Sequence, residues 1–188
     1  MATVCRRHGL PVLSDEIYRR FAYTEHCSMA ELYEDTILLT GYSKSFAMTG
    51  WRLGAALGPE PVIQAMAMLQ QYSFVCAPSM AQYAALACPQ VDLSQQLGAY
   101  RQKRDLMAGL LGEHFELGSP DGAFYLFVKA PDGIDGDAFV AKAIADNVLI
   151  IPGSVFSERH SHFRVCYTVA DDQLRRGAEV LCRLANAG

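Results

Sequence analysis

Charge is scarce in this 188-residue chain, and neither sign dominates. Asp, Glu, Lys and Arg make up 19% of the residues, against a hydrophobic fraction of 51%. The 16 basic and 20 acidic residues leave a formal net charge of −4. This balance gives no basic footprint for nucleic acid, so we expect no nucleic-acid partner. The high apolar content favours a packed globular protein over a disordered one.

Long hydrophobic runs and Cys-x-x-Cys pairs are missing as well. No apolar run approaches the roughly 20 residues that span a bilayer, and the first residues lack the apolar stretch of a signal peptide. We therefore expect a cytoplasmic protein with no membrane partner. The six scattered cysteines lie mostly in apolar or helical stretches, which predicts buried, reduced thiols. His160 and His162 have no third ligand nearby in the sequence, so we interpret them as loop residues and expect no metal site.

Lysine is rare too, and one of the four lysines has unusual surroundings. Lys44 follows the apolar run Ile37–Leu39 and stands between Ser43 and Ser45. Partial desolvation and nearby cations lower the pKa of such an amine and prepare it to attack a carbonyl. Arg52, eight residues further on, is a permanent cation suited to a phosphate. An aldehyde that carries a phosphate is pyridoxal phosphate, which we predict as the cofactor.

The residues upstream agree with this prediction. The apolar run Leu10–Ser14 suits a buried strand and is followed by Asp15 and Tyr18. Ligands of open α/β sheets bind beyond the carboxyl ends of strands, so Asp15 would stand where the cofactor ring lies. Taken singly, Asp15 could instead cap a helix and Tyr18 could be a half-buried aromatic residue.

The hydrophobic periodicity predicts a mixed α and β chain. It predicts helices at 2–8, 62–69, 79–88, 93–113, 139–144 and 171–185, and strands at 10–14, 36–40, 52–57, 124–128, 148–151 and 163–168. This order favours an α/β layer up to about residue 90 and an α+β module after it.

Taken together, the motifs resemble those of the fold-type I, class I/II pyridoxal-phosphate-dependent aminotransferases over essentially the whole chain. They are Asp-x-x-Tyr at 15–18, Ser-Lys at 43–44 with an arginine eight residues later, Gly-Ala-Phe-Tyr at 122–125, Pro-Gly-Ser-x-Phe at 152–156 and Phe-Arg-Val at 163–165. The resemblance implies an α/β fold: the C-terminal part of the large-domain sheet of a pyridoxal-phosphate transferase at 1–90, then an α+β small domain at 91–188.

Part of that family's pattern is missing. The strands predicted before the second module are too few for the family's large sheet. No Gly/Ser/Thr-rich turn opens a helix whose N–H groups could cradle a phosphate. We therefore expect the C-terminal portion of a longer aminotransferase, without its N-terminal half.

The resemblance implies a role for each residue near the cofactor. Lys44 would form a Schiff base with the cofactor aldehyde and later move the substrate's proton. Asp15 would hold the pyridine nitrogen protonated, which makes the ring an electron sink. Tyr18 would donate a hydrogen bond to the phenolic oxygen of the cofactor.

The resemblance also indicates which residues would bind the cofactor phosphate and the substrate carboxylate. Ser43 and Arg52 would bind the phosphate, with one hydroxyl fewer than in many relatives because residue 41 is Gly41. Arg164 would clamp the α-carboxylate of the substrate. A salt bridge to Glu158 or to an acid of the last helix is the alternative for Arg164.

We therefore expect an enzyme that moves an amino group between an α-amino acid and a 2-oxo acid, and a homodimer when complete. By resemblance, the segment 72–79 would approach the partner subunit's active site, and its lack of arginine favours neutral or aromatic substrates. Three alternatives stay open. They are a β-eliminating C–S lyase or aminocyclopropane-carboxylate-synthase-like enzyme, a non-catalytic effector domain of a transcription regulator, and an inert fragment.

Overall fold

The computed structural model describes residues 1–187, which divide into two compact units. The first unit is Met1–Leu93 and the second is Ser94–Gly188. No helix within the described residues is both long enough and apolar enough to cross a membrane.

A three-stranded sheet organises the first unit. The elements in order are α1 (Ala2–His8), β1 (Val12–Asp15), α2 (Met29–Leu32), β2 (Thr36–Gly41), β3 (Gly54–Leu57), α3 (Glu60–Gln71) and α4 (Ser79–Ala85). Three short 3-10 turns lie between them at Arg19–Phe21, Thr49–Trp51 and Cys88–Gln90. Strand β2 is central, parallel to β1 and antiparallel to β3.

The strand register defines one edge of this sheet. Asp15, the last residue of β1, pairs with Leu39 of β2, and Gly41, the last residue of β2, pairs with Gly54, the first residue of β3. The ends of the two parallel strands and the start of the antiparallel one therefore meet at the same side. We call this side, formed by Asp15, Gly41 and Gly54, the carboxyl edge.

The first unit buries few apolar side chains. One small core cluster of this unit consists of Met48, Leu53, Ala81 and Cys88. Helix α3 has the predicted apolar spacing, but none of its residues is buried.

The second unit has a more complete core. Its elements are α5 (Ser94–Leu111), β4 (Tyr125–Lys129), α6 (Gly136–Ala145), β5 (Ile151–Pro152), β6 (His162–Cys166) and α7 (Asp171–Asn186), with a 3-10 turn at Gly153–Val155. The sheet is antiparallel, and β6 lies between β4 and β5. On its inner face Phe163 is fully buried and stacks on Phe139 of α6 with ring centroids 4.9 Å apart.

All six predicted strands differ from the observed bounds by up to three residues, and for two of them the backbone shows the reason. Strand β3 begins at Gly54 and not at residue 52, because Arg52 has a left-handed backbone with φ of 53°. Strand β5 covers only Ile151–Pro152 and not 148–151. Residues 147 and 148 instead form the C-terminal end of α6. Asn147 has a left-handed backbone, and the Val148 N–H donates to the Ala143 carbonyl at 2.8 Å.

The prediction of mostly buried cysteines was wrong. All six thiols are free, but only Cys88 is buried, whereas Cys27, Cys76 and Cys166 are exposed. Apolar neighbours in the sequence did not place these side chains in a core, because the first unit buries so little and Cys166 lies on the outer face of its sheet.

Candidate active site

The carboxyl edge brings three of the predicted site residues to one side of the first unit. Asp15 ends β1, and Lys44 lies three residues beyond the end of β2 at Gly41. Arg52 lies two residues before β3, whose first residue pairs with Gly41. Because β1 and β2 are parallel and β3 returns antiparallel, all three residues lie at the carboxyl edge.

A tight turn between β2 and β3 carries Lys44. The Phe46 N–H donates to the Tyr42 carbonyl at 3.1 Å, and the Thr49 hydroxyl donates to the Ser43 carbonyl at 3.0 Å. Lys44 is half-buried within this turn. Hydrogen bonds on both sides therefore fix the backbone that carries it.

The same turn ends in a strained backbone at Arg52. Its φ of 53° lies in the left-handed region, where a non-glycine residue costs about 1–3 kcal/mol. Arg52 Nη1 donates to the Thr49 carbonyl at 3.0 Å, which fixes the guanidinium against its own turn. Such strain persists only where the surroundings impose it, and it is common at ligand sites.

Three charges at this edge have no opposite partner. Among residues 1–187, neither Lys44 nor Arg52 is in an ion pair, and Asp15 is in none either. The exposed carboxylate of Asp15 accepts one hydrogen bond, from the Ile17 N–H at 3.2 Å. An amine, an arginine and a carboxylate that do not neutralise one another are available to a ligand of mixed charge.

Tyr18 and Ser43 also lie beyond the ends of their strands. Tyr18 is half-buried, three residues after Asp15, and its carbonyl accepts from the Phe21 N–H at 2.8 Å. Ser43 is half-buried and directly precedes Lys44 in the turn. The segments that follow β1 and β2 thus each carry a residue with a hydroxyl group.

Sequence reasoning missed Glu16, the residue next to Asp15. Glu16 is only 7% exposed, and its carboxylate accepts hydrogen bonds from Ser28 Oγ at 2.7 Å and from Ser14 Oγ at 3.1 Å. His26 Nε2 lies 3.0 Å from its other oxygen. Burial alone would raise the pKa of Glu16, but the hydrogen bonds from His26, Ser28 and Ser14 outweigh it and lower the pKa below 4.5. The network ties the end of β1 to the loop before α2, and no sequence motif pointed to it.

A cavity of about 190 Å³ opens beside the carboxyl edge, but the predicted site residues do not line it. Its walls include Gly41, Phe46, Arg20 and Cys88, and the Arg20 guanidinium lies 5.2 Å from the Phe46 ring. A Cβ on Gly41 would come within 3.1 Å of Ile17 Cδ1. A serine at position 41 would therefore require the Ile17 side chain to shift by a few tenths of an ångström.

Arg164 lies at the centre of the sheet in the second unit. It occupies the middle strand β6, opposite Phe127 of β4 and Ile151 of β5. Its Cζ lies 4.4 Å from the ring centroids of both Tyr125 and Phe156. The described part of the chain gives it no ion pair, so the alternative salt bridge to Glu158 or to the last helix is not formed.

His160 and His162 contact different parts of the second unit. His160 Nδ1 lies 2.9 Å from Asp137 Oδ2, and Asp135 completes a group whose ligand atoms lie within 4.8 Å of one another. The expectation that no third ligand lies near His160 was wrong, because the α6 N-terminus folds against this loop. The contacts have a structural explanation: Asp135 caps α6, and Asp137 accepts from Ser154 Oγ at 2.8 Å.

Those hydrogen bonds, from Ser154 first and then from His160, lower the pKa of Asp137 below its ordinary value. His162 instead stacks on Phe127, with ring centroids 4.9 Å apart. We therefore interpret both histidines as parts of the local fold.

A lysine, an acid and an arginine therefore lie at the carboxyl edge of the first unit. The chain belongs to the aminotransferase class I and II family, whose model matches residues 1–181. Members of this family use pyridoxal phosphate. The predicted family is thereby confirmed.

Individual relatives agree with this assignment. The chain is 35% identical over 205 residues to the aspartate aminotransferase of Geobacillus stearothermophilus, covering 100% of this chain and 52% of that protein. It is 34% identical over 186 residues to aromatic-amino-acid aminotransferase 2 of Thermococcus litoralis, covering 92% of this chain and 48% of that protein. The chain thus spans about half the length of the curated relatives it matches.

Solved structures share the fold. The aromatic aminotransferase of Pyrococcus horikoshii superposes with a TM-score of 0.91 at 31% identity, covering 99% of this chain and 54% of that one. The aspartate aminotransferase of Thermus thermophilus with maleate gives a TM-score of 0.88 at 32% identity, covering 97% of this chain and 50% of that one. These likenesses confirm the predicted fold class, part of a fold-type I aminotransferase.

Proposed function

We propose that this chain is the C-terminal portion of a pyridoxal-phosphate-dependent aminotransferase that moves an amino group between an α-amino acid and a 2-oxo acid. The observation that carries the proposal is the position of Asp15, Lys44 and Arg52 beside the strand ends of the carboxyl edge. Three groups of the required kinds, none neutralised by another, lie at the end of a sheet where ligands bind. The family membership supports the same chemistry.

The residues at the carboxyl edge have the chemical groups that pyridoxal phosphate requires. The Arg52 guanidinium and the Ser43 hydroxyl would bind its phosphate, and the Asp15 carboxylate would pair with its ring nitrogen. Tyr18 would donate a hydrogen bond to its phenolic oxygen. When bound, the cofactor supplies an electron sink for the pair of electrons left behind as the substrate Cα–H bond breaks.

Lys44 would have two tasks, to hold the cofactor covalently and then to move a proton. Its Nζ carries no ion pair within the described residues, so no salt bridge holds it away from a ligand. As a free amine it would take the proton from the substrate Cα, acting as the general base. A backbone fixed by the Tyr42 and Ser43 carbonyl hydrogen bonds would keep the amine in place for this transfer.

Arg164 would bind the α-carboxylate of the substrate through two parallel N–H donors. A carboxylate held in this way orients the Cα–H bond for removal of the proton, which favours amino transfer over decarboxylation. The segment 72–79 contains no arginine, which favours neutral or aromatic side chains over dicarboxylic ones. Relatives named for aspartate and for aromatic amino acids both match this chain, and an assay with both classes of donor tests this preference.

The same proposal covers the organisation of the complete protein. Met1–Leu93 would be part of the cofactor-binding large domain, and the unit from Ser94 onward would be the small domain. The complete protein would be a cytoplasmic homodimer whose partners are the small amino acid and the 2-oxo acid. Six free thiols agree with a reducing compartment.

Covalent trapping of the cofactor tests the proposal. The full-length protein should show a visible absorption band, and borohydride reduction should leave a phosphopyridoxyl group on the peptide that contains Lys44. Lys44→Ala should abolish both trapping and turnover, since it removes the amine that holds the cofactor and moves the proton. Lys142→Ala, at an exposed lysine of α6, is the matched control and should leave both unchanged.

The same assay separates the alternative reactions. Amino transfer to 2-oxoglutarate supports the proposal, whereas release of pyruvate and ammonia from a cysteine conjugate would identify a β-eliminating lyase. Trapping on a lysine other than Lys44, or no trapping at all, contradicts the proposal.

A further inference from the structure

The outer face of the second unit's sheet surrounds Arg164 with aromatic rings. Alternate residues of β6 point to opposite faces, so Phe163 and Val165 are buried while Arg164 lies on the other side. On β4, Tyr125 and Phe127 occupy the same outer face as Arg164. Arg164 thus has aromatic neighbours along its partner strand.

Two of the rings lie against the charged group of Arg164. Its Cζ lies 4.4 Å from the Tyr125 centroid and 4.4 Å from the Phe156 centroid, well inside the distance of about 6 Å for a cation–π contact. Phe156 comes from the turn that follows β5, so the two rings approach from different elements. The N–H donors of a guanidinium lie in its plane, and stacking on its faces leaves that edge for hydrogen bonds.

The Phe156 ring is itself held in place. It meets Phe127 edge-on, with centroids 6.3 Å apart and an interplanar angle of 81°. Phe127 in turn stacks on His162 at an interplanar angle of 5°. The side chain that lies against Arg164 from the β5 side is thus supported by a second layer of rings.

We propose that Tyr125 and Phe156 are positioning residues that hold the Arg164 guanidinium with its donor edge free for the substrate carboxylate. This inference rests on the proposed function of Arg164. A long, flexible side chain loses rotamer freedom when it binds a ligand, and rings that already restrict it reduce that loss. The two rings act through Arg164 and do not touch the reacting atoms.

Kinetics of the full-length holoenzyme test the inference. Phe156→Leu removes a stacking face, so the KM for the amino acid should rise roughly five- to tenfold, with kcat within about twofold of wild type. Phe156→Tyr retains the ring and should have a KM close to that of wild type. Val155→Ala, at the exposed neighbouring residue, is the matched control and should leave both constants unchanged. An equal fall of kcat in the Leu and Tyr variants would contradict positioning.

Binding of a carboxylate provides a test that needs no turnover. In protein labelled with ¹⁵N-arginine, the Arg164 Nε–H proton should show an upfield ring-current shift, assigned by its loss in Arg164→Lys. Titration with 3-phenylpropionate, a carboxylate without an amino group, should move that signal. Its Kd should rise roughly five- to tenfold in Phe156→Leu and in Tyr125→Leu.

The two measurements keep the inference separate from the proposed function. An inactive wild-type protein would overturn the proposed function, and the titration would still decide whether the rings position Arg164. A ring-current shift that disappears in Phe156→Leu, with an unchanged Kd, would overturn the positioning role. A parallel rise in Kd and KM would support it.

Discussion

At the scale of single residues, two adjacent carboxylates at the carboxyl edge have opposite surroundings. Asp15 is exposed and accepts a single backbone hydrogen bond, whereas Glu16, the next residue, is buried in hydrogen bonds from two serines and a histidine. Glu16 directly follows β1, and its N–H still donates to the Leu39 carbonyl of β2 at 2.8 Å, so the two adjacent side chains point in different directions, as they do along a strand. One carboxylate is thereby available to a ligand, and the other stabilises the backbone that presents it.

The buried carboxylate predicts an acid-sensitive stability. Glu16→Gln should lower the free energy of unfolding by about 1.5–3 kcal/mol at neutral pH, because it removes hydrogen bonds to a charged group. The folded-state pKa of Glu16 lies below its ordinary value of 4.5. The contribution of the Glu16 charge to the free energy of unfolding is therefore complete above pH 4.5, and it is lost as the pH falls through the folded-state pKa.

Urea unfolding at several pH values measures this effect. The difference between wild type and Glu16→Gln should shrink as the pH falls below 4.5. Glu179→Gln, at an exposed position of α7, is the control and should stay within about 0.5 kcal/mol of wild type. A constant difference down to strongly acid pH would contradict the role of the Glu16 charge.

At the scale of elements, periodicity predicted where most helices and strands lie, but not what they bury. The pattern of α7 predicted both the helix and its buried face, with Leu174, Ala178 and Leu181 inward. The pattern of α3 was just as regular, yet that helix buries no residue in the described chain. Periodicity reports a face that prefers contact and says nothing about which partner is present.

Local backbone conformation also limited prediction. The start of β3 depends on the left-handed Arg52, and the length of β5 depends on the left-handed Asn147. Neither residue is a glycine, so composition did not mark these positions. Lys44, Asp15 and Arg52 could be singled out from the sequence as candidates, because their spacing along the chain is a motif. Glu16 could not, since its partners come from separate positions with no shared pattern.

The buried face of α7 predicts a large effect from a single substitution. Leu181→Ala should lower the free energy of unfolding by about 2–5 kcal/mol, because Leu181 is only 1% exposed and its removal leaves a cavity. Leu149→Ala makes the same chemical change at a side chain that is 86% exposed, and should cost less than about 0.5 kcal/mol. Urea titrations of both variants measure the contrast, and equal losses would contradict the packing of α7.

At the scale of the whole chain, the two units differ in how well they bury apolar surface. All of the largest fully buried side chains belong to the second unit: Tyr167, Phe139, Phe163, Met107, Leu111, Leu181 and Val128. In the first unit, Leu13 is 66% exposed and Leu57 54% exposed, although both lie in a sheet with parallel strands. Parallel sheets are usually covered on both faces. The first unit therefore leaves apolar surface exposed at a kind of sheet that is usually covered.

This asymmetry predicts how the isolated 188-residue chain behaves. It should bind an apolar dye such as ANS strongly and should retain cofactor weakly or not at all, because much apolar surface is exposed. The double variant Met68→Gln, Leu69→Gln, at side chains 57% and 66% exposed in α3, should bind less dye without a lower melting temperature. Dye fluorescence measures the exposed apolar surface, and sedimentation measures whether the chain is monomeric. A soluble, monomeric chain that is yellow with cofactor would contradict the prediction.

The strand register at the carboxyl edge has a consequence for folding kinetics. Asp15, Lys44 and Arg52 are contributed by one continuous stretch of the chain, joined by the pairings of Asp15 with Leu39 and of Gly41 with Gly54. Contacts between residues close in sequence close short loops, which lowers the entropic barrier to their formation. The geometry around Lys44 can thus form early, before residues distant in sequence have docked.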